Sequence, residues 1–174
     1  MPNYALDQID LTILAALQRD GRLQNVDLAG IAGLSSSPCL RRVRRLERAG
    51  FIVRYSAVVE RSKVGFGITA FLNILVEQNR KAQIDQLREQ LRKIPSIIAC
   101  HIVTGEADLL LEVVAEDLEA YAAIVLELGK LPAIKHIRTS LSLETIKASA
   151  PLPIVLPRVS RNASTRRPTA KKRI

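Results

Sequence analysis

Five arginines stand within eight residues at Arg41-Arg42-Val43-Arg44-Arg45-Leu46-Glu47-Arg48, against a single acid. Guanidinium groups carry a permanent charge and a planar fork of donors, a chemistry suited to phosphate oxygens and guanine edges. At helical spacing Arg41, Arg44, Arg45 and Arg48 share one face, and Leu40, Val43 and Leu46 form a stripe roughly opposite. One side of such a helix docks on a core while the other meets a polyanion. The preceding loop, Leu34-Ser35-Ser36-Ser37-Pro38-Cys39, supplies serines able to cap the helix and to bond phosphate oxygens. Arg41, Arg42 and Arg45, near the first half of the helix, are candidates for base edges; Arg48 and Arg54 are candidates for phosphates.

The other reactive side chains do not assemble into a catalytic set. Cys100 and His101 are adjacent on a predicted strand, so they point to opposite faces and cannot pair as nucleophile and base. His101 and His136 can approach if their strands are neighbours, but two histidines without a third ligand make a poor metal site. With no convergent acid–base pair and no phosphate-cradling glycine loop, neither an enzyme nor a metal centre is expected. Cys39 reads as a small packing residue. Two cysteines this far apart suit reduced thiols and a cytoplasmic setting better than a disulfide framework. No apolar run reaches the roughly 18 residues of a membrane span. The start, Met1-Pro2-Asn3-Tyr4, lacks the pattern of a signal peptide, so neither membrane nor leader is expected.

The charge is placed where a polyanion would need it. Of the net +9 over 174 residues, the stretch 61–150 contributes nothing, with eleven basic and eleven acidic groups. Residues 1–60 hold eight basic and six acidic groups, and residues 151–174 hold seven basic groups and no acid. The basicity therefore resides in one helix face and one tail, the distribution expected of a DNA-binding chain.

Stepping along the chain, residues 1–50 predict three helices. Asp7 caps the first, Asp10 adds negative charge to its first turn, and Ile9, Ile13, Leu14 and Leu17 form its buried stripe before Gly21. Asn25 caps a short second helix carrying Val26, Leu28, Ala29 and Ile31, which ends at Gly33. A serine among 35–37 caps the third, with Pro38 tolerated in its first turn, and Ala49-Gly50 ends it. A short helix, a tight turn and a capped arginine-bearing helix make a helix-turn-helix. Residues 51–66 predict a linker strand, from the β-prone run Phe51–Val59. Residues 67–150 alternate as strand 67–76, helix 80–93, strands 97–104 and 108–114, a helix capped by Asp117 with Leu118, Tyr121, Ala122, Val125 and Leu128 inward, and strand 133–145. This βαββαβ order is the ferredoxin-like unit, giving an α+β chain whose bare sheet face suits dimerisation. From Pro151 the proline-rich, basic composition predicts a largely disordered tail over 151–174.

Several motifs together carry a resemblance: Leu6-Asp7-Gln8-Ile9-Asp10, Leu17-Gln18-Arg19-Asp20-Gly21-Arg22, the stretch from Leu34 to Glu47, and Val103-Thr104-Gly105-Glu106-Ala107-Asp108. In this order and spacing, over about residues 5–155, they resemble the leucine-responsive and asparagine-responsive (Lrp/AsnC) bacterial regulators. The resemblance implies a winged or plain helix-turn-helix, a ferredoxin-like domain that assembles dimers and often octamers, and an amino-acid effector held between subunits. It implies that Gly105, Glu106 and Asp108 match the family's Gly-Asp-x-Asp ligand loop, with Thr139 and Ser140 nearby on the last strand. Glu106 replaces the usual aspartate, Ala107 stands where an aromatic is common, and the basic extension past about Pro157 exceeds the family pattern. An ammonium needs an anion such as Glu106 or Asp108, and the Gly105 backbone admits a close carboxylate.

The expected function is therefore a sequence-specific transcriptional regulator that binds double-stranded DNA through Ser35, Ser36, Ser37, Arg41, Arg42, Arg44, Arg45, Arg48 and Arg54. No cofactor is expected beyond the effector. The alternative is an effector-independent architectural DNA binder.

Overall fold

The computed structural model describes residues 5–77, 81–148 and 150–154, leaving out the side chains of 81–83. Most of the predicted tail, from residue 155, lies outside the described residues. The chain divides into two compact units, one of Met1–Ala57 joined by Ser149–Ile174, the other of Val58–Ala148.

The first unit holds α1 (Gln8–Arg19), α2 (Asn25–Ala32) and α3 (Ser36–Arg48). Asp7 caps α1 through a reciprocal capping box with Asp10, which satisfies two amides that a helix start leaves open. Ile13 and Ala16 of α1, Leu28 and Ala29 of α2, and Cys39, Val43 and Leu46 of α3 form the core. The buried stripe of α3 thus runs through Cys39, whereas Leu40 is 38% exposed. Val26 and Ile31 of α2 are also exposed. Asn25 is the first helical residue rather than the cap of α2; Gln24 occupies the cap and makes no side-chain cap bond. Ser35 occupies the N-cap of α3, but its hydroxyl makes no cap bond either.

The ends of α2 and α3 close in the same way. Leu34 N donates to Ala29 O at 2.9 Å and Gly33 N to Gly30 O at 3.3 Å, with Gly33 at φ 67°. Phe51 N donates to Leu46 O and Gly50 N to Glu47 O, both at 3.0 Å. These are Schellman closures, which require one left-handed residue just past the helix. At Gly33 that residue sets the turn between α2 and α3.

The expected linker strand over Phe51–Val59 does not form: these residues join no sheet, and Ser62–Val64 is a short 3-10 turn. Ile52 packs against the helical core, whereas Val53 and Val58 remain in water, at 87% and 94% exposure. Strand propensity reflects packing against neighbours, and a single chain offers this run no partner.

The second unit contains β1 (Ile68–Val76), α4 (Lys81–Arg92), β2 (Ile97–Ile102), β3 (Leu109–Ala115), α5 (Leu118–Gly129) and β4 (Ile134–Leu141). The sheet is antiparallel with order β2-β3-β1-β4. Alternation sends Ala70, Leu72, Ile74, Leu109, Leu111, Val113 and Ala115 to the face covered by helices, where Leu87, Leu91, Tyr121 and Leu128 meet them. Asp117 caps α5 by accepting from Ala120 N at 2.8 Å. The inward stripe of α5 is rotated from the expected one: Ala120 and Ile124 pack on the core, while Leu118 and Ala122 are exposed. The last strand stops at Leu141, and Leu143 is 99% exposed.

Candidate nucleic-acid interface and effector cavity

On α3 the sequence brings buried and charged positions side by side. Arg42 follows Cys39 by three residues and precedes Leu46 by four, so it borders the buried stripe. It turns back onto α1, where its Nη1 lies 2.6 Å from Asp7 Oδ2 and 2.8 Å from Asp10 Oδ1. Arg45 Nη2 lies 3.3 Å from Asp10 Oδ2. Asp10 is fully buried, a burial a carboxylate tolerates only when paired and hydrogen-bonded. The hydrogen bond to Asp7, then the one to Asp10, hold the Arg42 guanidinium proton more firmly than usual.

Of the three arginines expected at base edges, Arg42 and Arg45 bond carboxylates of the first helical turn of α1 and its cap. Arg42 is an anchor between α1 and α3, with its fork engaged by two carboxylates, and Arg45 shares that role from the rim of the face. The outward face consists of Ser37, Arg41, Arg44 and Arg48, all exposed, at positions i, i+4, i+7 and i+11. Ser35 and Ser36 are exposed at the helix start, and Arg54 is exposed beyond it. Amides there lack intrahelical partners and point along the positive end of the helix dipole, a setting that suits a phosphate.

Asn25 fixes α2 against this helix start, its Nδ2 donating to Ser36 O at 2.8 Å. Its Oδ1 is buried without a hydrogen-bond partner among the described residues. The local pattern predicts a cap at Asn25, whereas its side chain bridges eleven residues to the start of α3. Tyr55 O–H donates to Glu47 Oε1 at 3.0 Å on the side of α3 away from the anchors. Burial, and then that bond, push the phenol up to about 12.

The expected effector residues do not converge on one spot. Gly105, at φ 114°, forms the turn between β2 and β3 in a conformation open to glycine. Glu106 and Arg138 form an exposed ion pair at 3.1 Å. They share a cavity of about 130 Å³ with Asn73, Leu75, Ala107 and His136. Arg138 pairs with Asn73 and His136 with Leu75 across β1 and β4, on the sheet face without helices.

Asp108 is held differently. Its Oδ2 accepts from Val76 N at 2.9 Å, and its backbone N–H donates to Ile74 O at 2.9 Å. It lines a second cavity, of about 150 Å³, with Ile84, Leu87 and Arg88 of α4. Thr139 lies opposite Leu72 on the helix-covered face and accepts from Tyr121 O–H at 2.7 Å. Ser140 is exposed opposite Phe71. Thr139 is thereby removed from the Glu106 cavity by strand alternation. His101 and His136 belong to β2 and β4, the two outer strands, so they are not neighbours. Among the described residues no group of three or more His, Cys, Asp or Glu could hold a metal ion. None of the described helices is long and apolar enough to cross a membrane. Cys39 is buried and Cys100 exposed.

Comparison with known proteins places both units. Residues 6–53 match the winged helix-turn-helix DNA-binding family model, and residues 69–152 match the Lrp/AsnC ligand-binding domain. The leucine-responsive regulatory proteins of Escherichia coli K12 and Klebsiella pneumoniae are each 38% identical over 149 residues, covering 85% of this chain and 91% of theirs. A transcriptional regulator from Neisseria meningitidis, solved in complex with L-Met, is 35% identical with a TM-score of 0.82, covering 86% of this chain and 97% of its own. An AsnC family regulator from Agrobacterium tumefaciens is 31% identical with a TM-score of 0.81, covering 85% and 97%. With a helix-turn-helix carrying an outward arginine face and a ligand-binding sheet unit, this chain belongs to the Lrp/AsnC family of effector-responsive, DNA-binding transcriptional regulators.

Proposed function

We propose that α3 enters the DNA major groove with Arg41 and Arg44 toward base edges, while Arg48, Arg54 and the serines at 35–37 hold phosphates. The observation that carries this is the anchoring of Arg42 and Arg45 by Asp10, which fixes the rotation of α3 and leaves Arg41, Arg44 and Arg48 outward. Fixed rotation matters because a reading helix discriminates bases only when its side chains are presented in one register. The protein works in the cytoplasm as a regulator rather than an enzyme, and at least as a homodimer formed through the helix-free sheet face. Phe71 and Leu75 are half-exposed there in the single chain.

The effector is an amino acid bound at the Gly105–Asp108 turn, in the cavity holding Glu106 and Arg138. A surface ion pair of this kind contributes only about 0–1 kcal/mol, so its two partners exchange readily for a ligand. Glu106 then takes the ammonium and Arg138 the carboxylate, with Leu75 and Ala107 against the side chain. Support comes from the Neisseria meningitidis relative solved with L-Met. Melting temperatures measured against each of the twenty amino acids test this reading. At a hundred times its dissociation constant the effector stabilises by about 2.7 kcal/mol, and Arg138→Ala removes that shift. A flat response across all twenty refutes the effector assignment and favours an architectural binder.

A further inference from the structure

The single acid of α3 works against the chemistry of that helix. Glu47 stands among five arginines, and its carboxylate repels the phosphates that they attract. Its local use is as an acceptor for the Tyr55 O–H, at 3.0 Å. Tyr55 belongs to the extended run that leaves α3, and little else in the backbone fastens that run. Ile52 N donates to Leu46 O at 3.4 Å. Past it, among the described residues, no backbone-to-backbone hydrogen bond engages Val53–Ala57.

The side chain of Tyr55 supplies what the backbone lacks. Its ring is half-buried, and a Cβ built at Gly21 would lie 3.4 Å from its Cδ1. The ring lines one cavity of about 220 Å³ with Leu17 of α1 and with Leu40 and Val43 of α3. It lines another of about 390 Å³ with Leu14, Phe51 and Ile52. Apolar contact of this kind holds the ring against the helices without choosing a level along them, because dispersion is non-directional. The bond to Glu47 is directional, and it fixes the ring at the last turn of α3.

We propose, on the reading that Arg54 holds a phosphate, that Tyr55 is the positioning residue for that contact. Clipped to Glu47, it presents Arg54 to the duplex beside the bases that α3 reads. Arg54 is exposed and adjacent to Tyr55 in the chain, so the clip sets where its guanidinium starts from. An arginine on an unfastened run loses backbone freedom on meeting DNA; on a fastened run part of that freedom is already lost in folding.

Fluorescence anisotropy with a duplex obtained by in vitro selection, across a potassium chloride series, tests this on the full chain. Arg54→Ala should weaken binding and make the slope of log K against log salt shallower by about 0.9, the value of one phosphate contact. Tyr55→Phe keeps the ring and loses the hydroxyl. It should weaken binding about three- to tenfold beside Arg54, and by less than about 1.5-fold in the Arg54→Ala chain. Glu47→Gln and Glu47→Ala remove the same charge, but glutamine keeps an oxygen able to accept from Tyr55. Glu47→Gln should therefore bind about three- to tenfold more tightly than Glu47→Ala. An equal loss from Tyr55→Phe in both backgrounds, or no loss in either, overturns the positioning role. Equal binding by the two Glu47 variants overturns the clip. An unchanged slope in Arg54→Ala refutes the phosphate assignment of Arg54 itself, and the role of Tyr55 with it.

Discussion

Replacing Asp10 by alanine removes the group that fixes the arginine helix, and its cost follows from the contacts it makes. Asp10 accepts from the Asp7 amide at 3.3 Å, from Arg42 at 2.8 Å and from Arg45 at 3.3 Å. Losing a helix-start partner costs about 0.5–2 kcal/mol, and a hydrogen bond to a charged group contributes about 1.5–3 kcal/mol. These do not add in full. Arg42 keeps Asp7 at 2.6 Å, and the Arg42 and Arg45 side chains are 24% and 49% exposed, so neither is stranded in the core. The ceiling of about 3–5 kcal/mol for breaking a buried pair applies only when the remaining charge is trapped. The net expectation for Asp10→Ala is about 2–4 kcal/mol of stability in the helical unit. Because a core this small supplies only about 3–5 kcal/mol, that unit should melt well before the sheet unit. Urea unfolding followed by helical circular dichroism reads the loss. A double-mutant cycle with Arg42→Ala should give a coupling of at least about 1 kcal/mol. A loss below about 0.5 kcal/mol, or no coupling, refutes the anchoring role of Asp10.

Two other perturbations have defined outcomes. Tyr55 ionises at about 12 in the folded chain against an ordinary value of 10.0. The fold favours the neutral phenol, so its contribution is complete below pH 10 and is lost as pH rises toward 12. Unfolding midpoints of Tyr55→Phe should lack that alkaline decline, and an unchanged decline would remove Tyr55 as its source. Gly33 sits at φ 67° with open space around its Cβ position. Gly33→Ala should therefore cost about 1–2 kcal/mol from backbone strain alone, read by thermal unfolding; a neutral result would show that the turn tolerates a side chain.

Local rules were legible in the sequence; choices that depend on distant partners were not. Asp7 and Asp117 cap their helices as expected because a cap is decided within three residues. The sheet strands follow their period-2 pattern, as in β1, where alternate residues are buried. On α3 two apolar stripes were available, one through Leu40 and one through Cys39, and docking against α1 and α2 selects the second. The same ambiguity rotated the inward face of α5. Asp10 is first-turn charge, as its position implies, but its bonds to Arg42 and Arg45 span 32 and 35 residues. No local pattern announces such a link. Residues 51–59 carry strand propensity without a strand partner in the single chain, and propensity alone does not build a ladder. Around Gly105 the loop was legible, whereas the separation of Glu106 from Asp108 and Thr139 depends on which face each residue takes.

Sequence reading by α3 is tested most directly by in vitro selection from random duplexes with wild-type protein and with the Arg41→Ala/Arg44→Ala pair. Wild type should enrich a roughly palindromic motif with half-sites about one helical turn or a multiple apart. The double variant should remain folded, keep salt-sensitive binding and lose the enrichment, at a cost of about 1–3 kcal/mol per base contact. Enrichment of the same motif to the same degree by both proteins would contradict the assignment of α3's outward arginines as the readers of DNA.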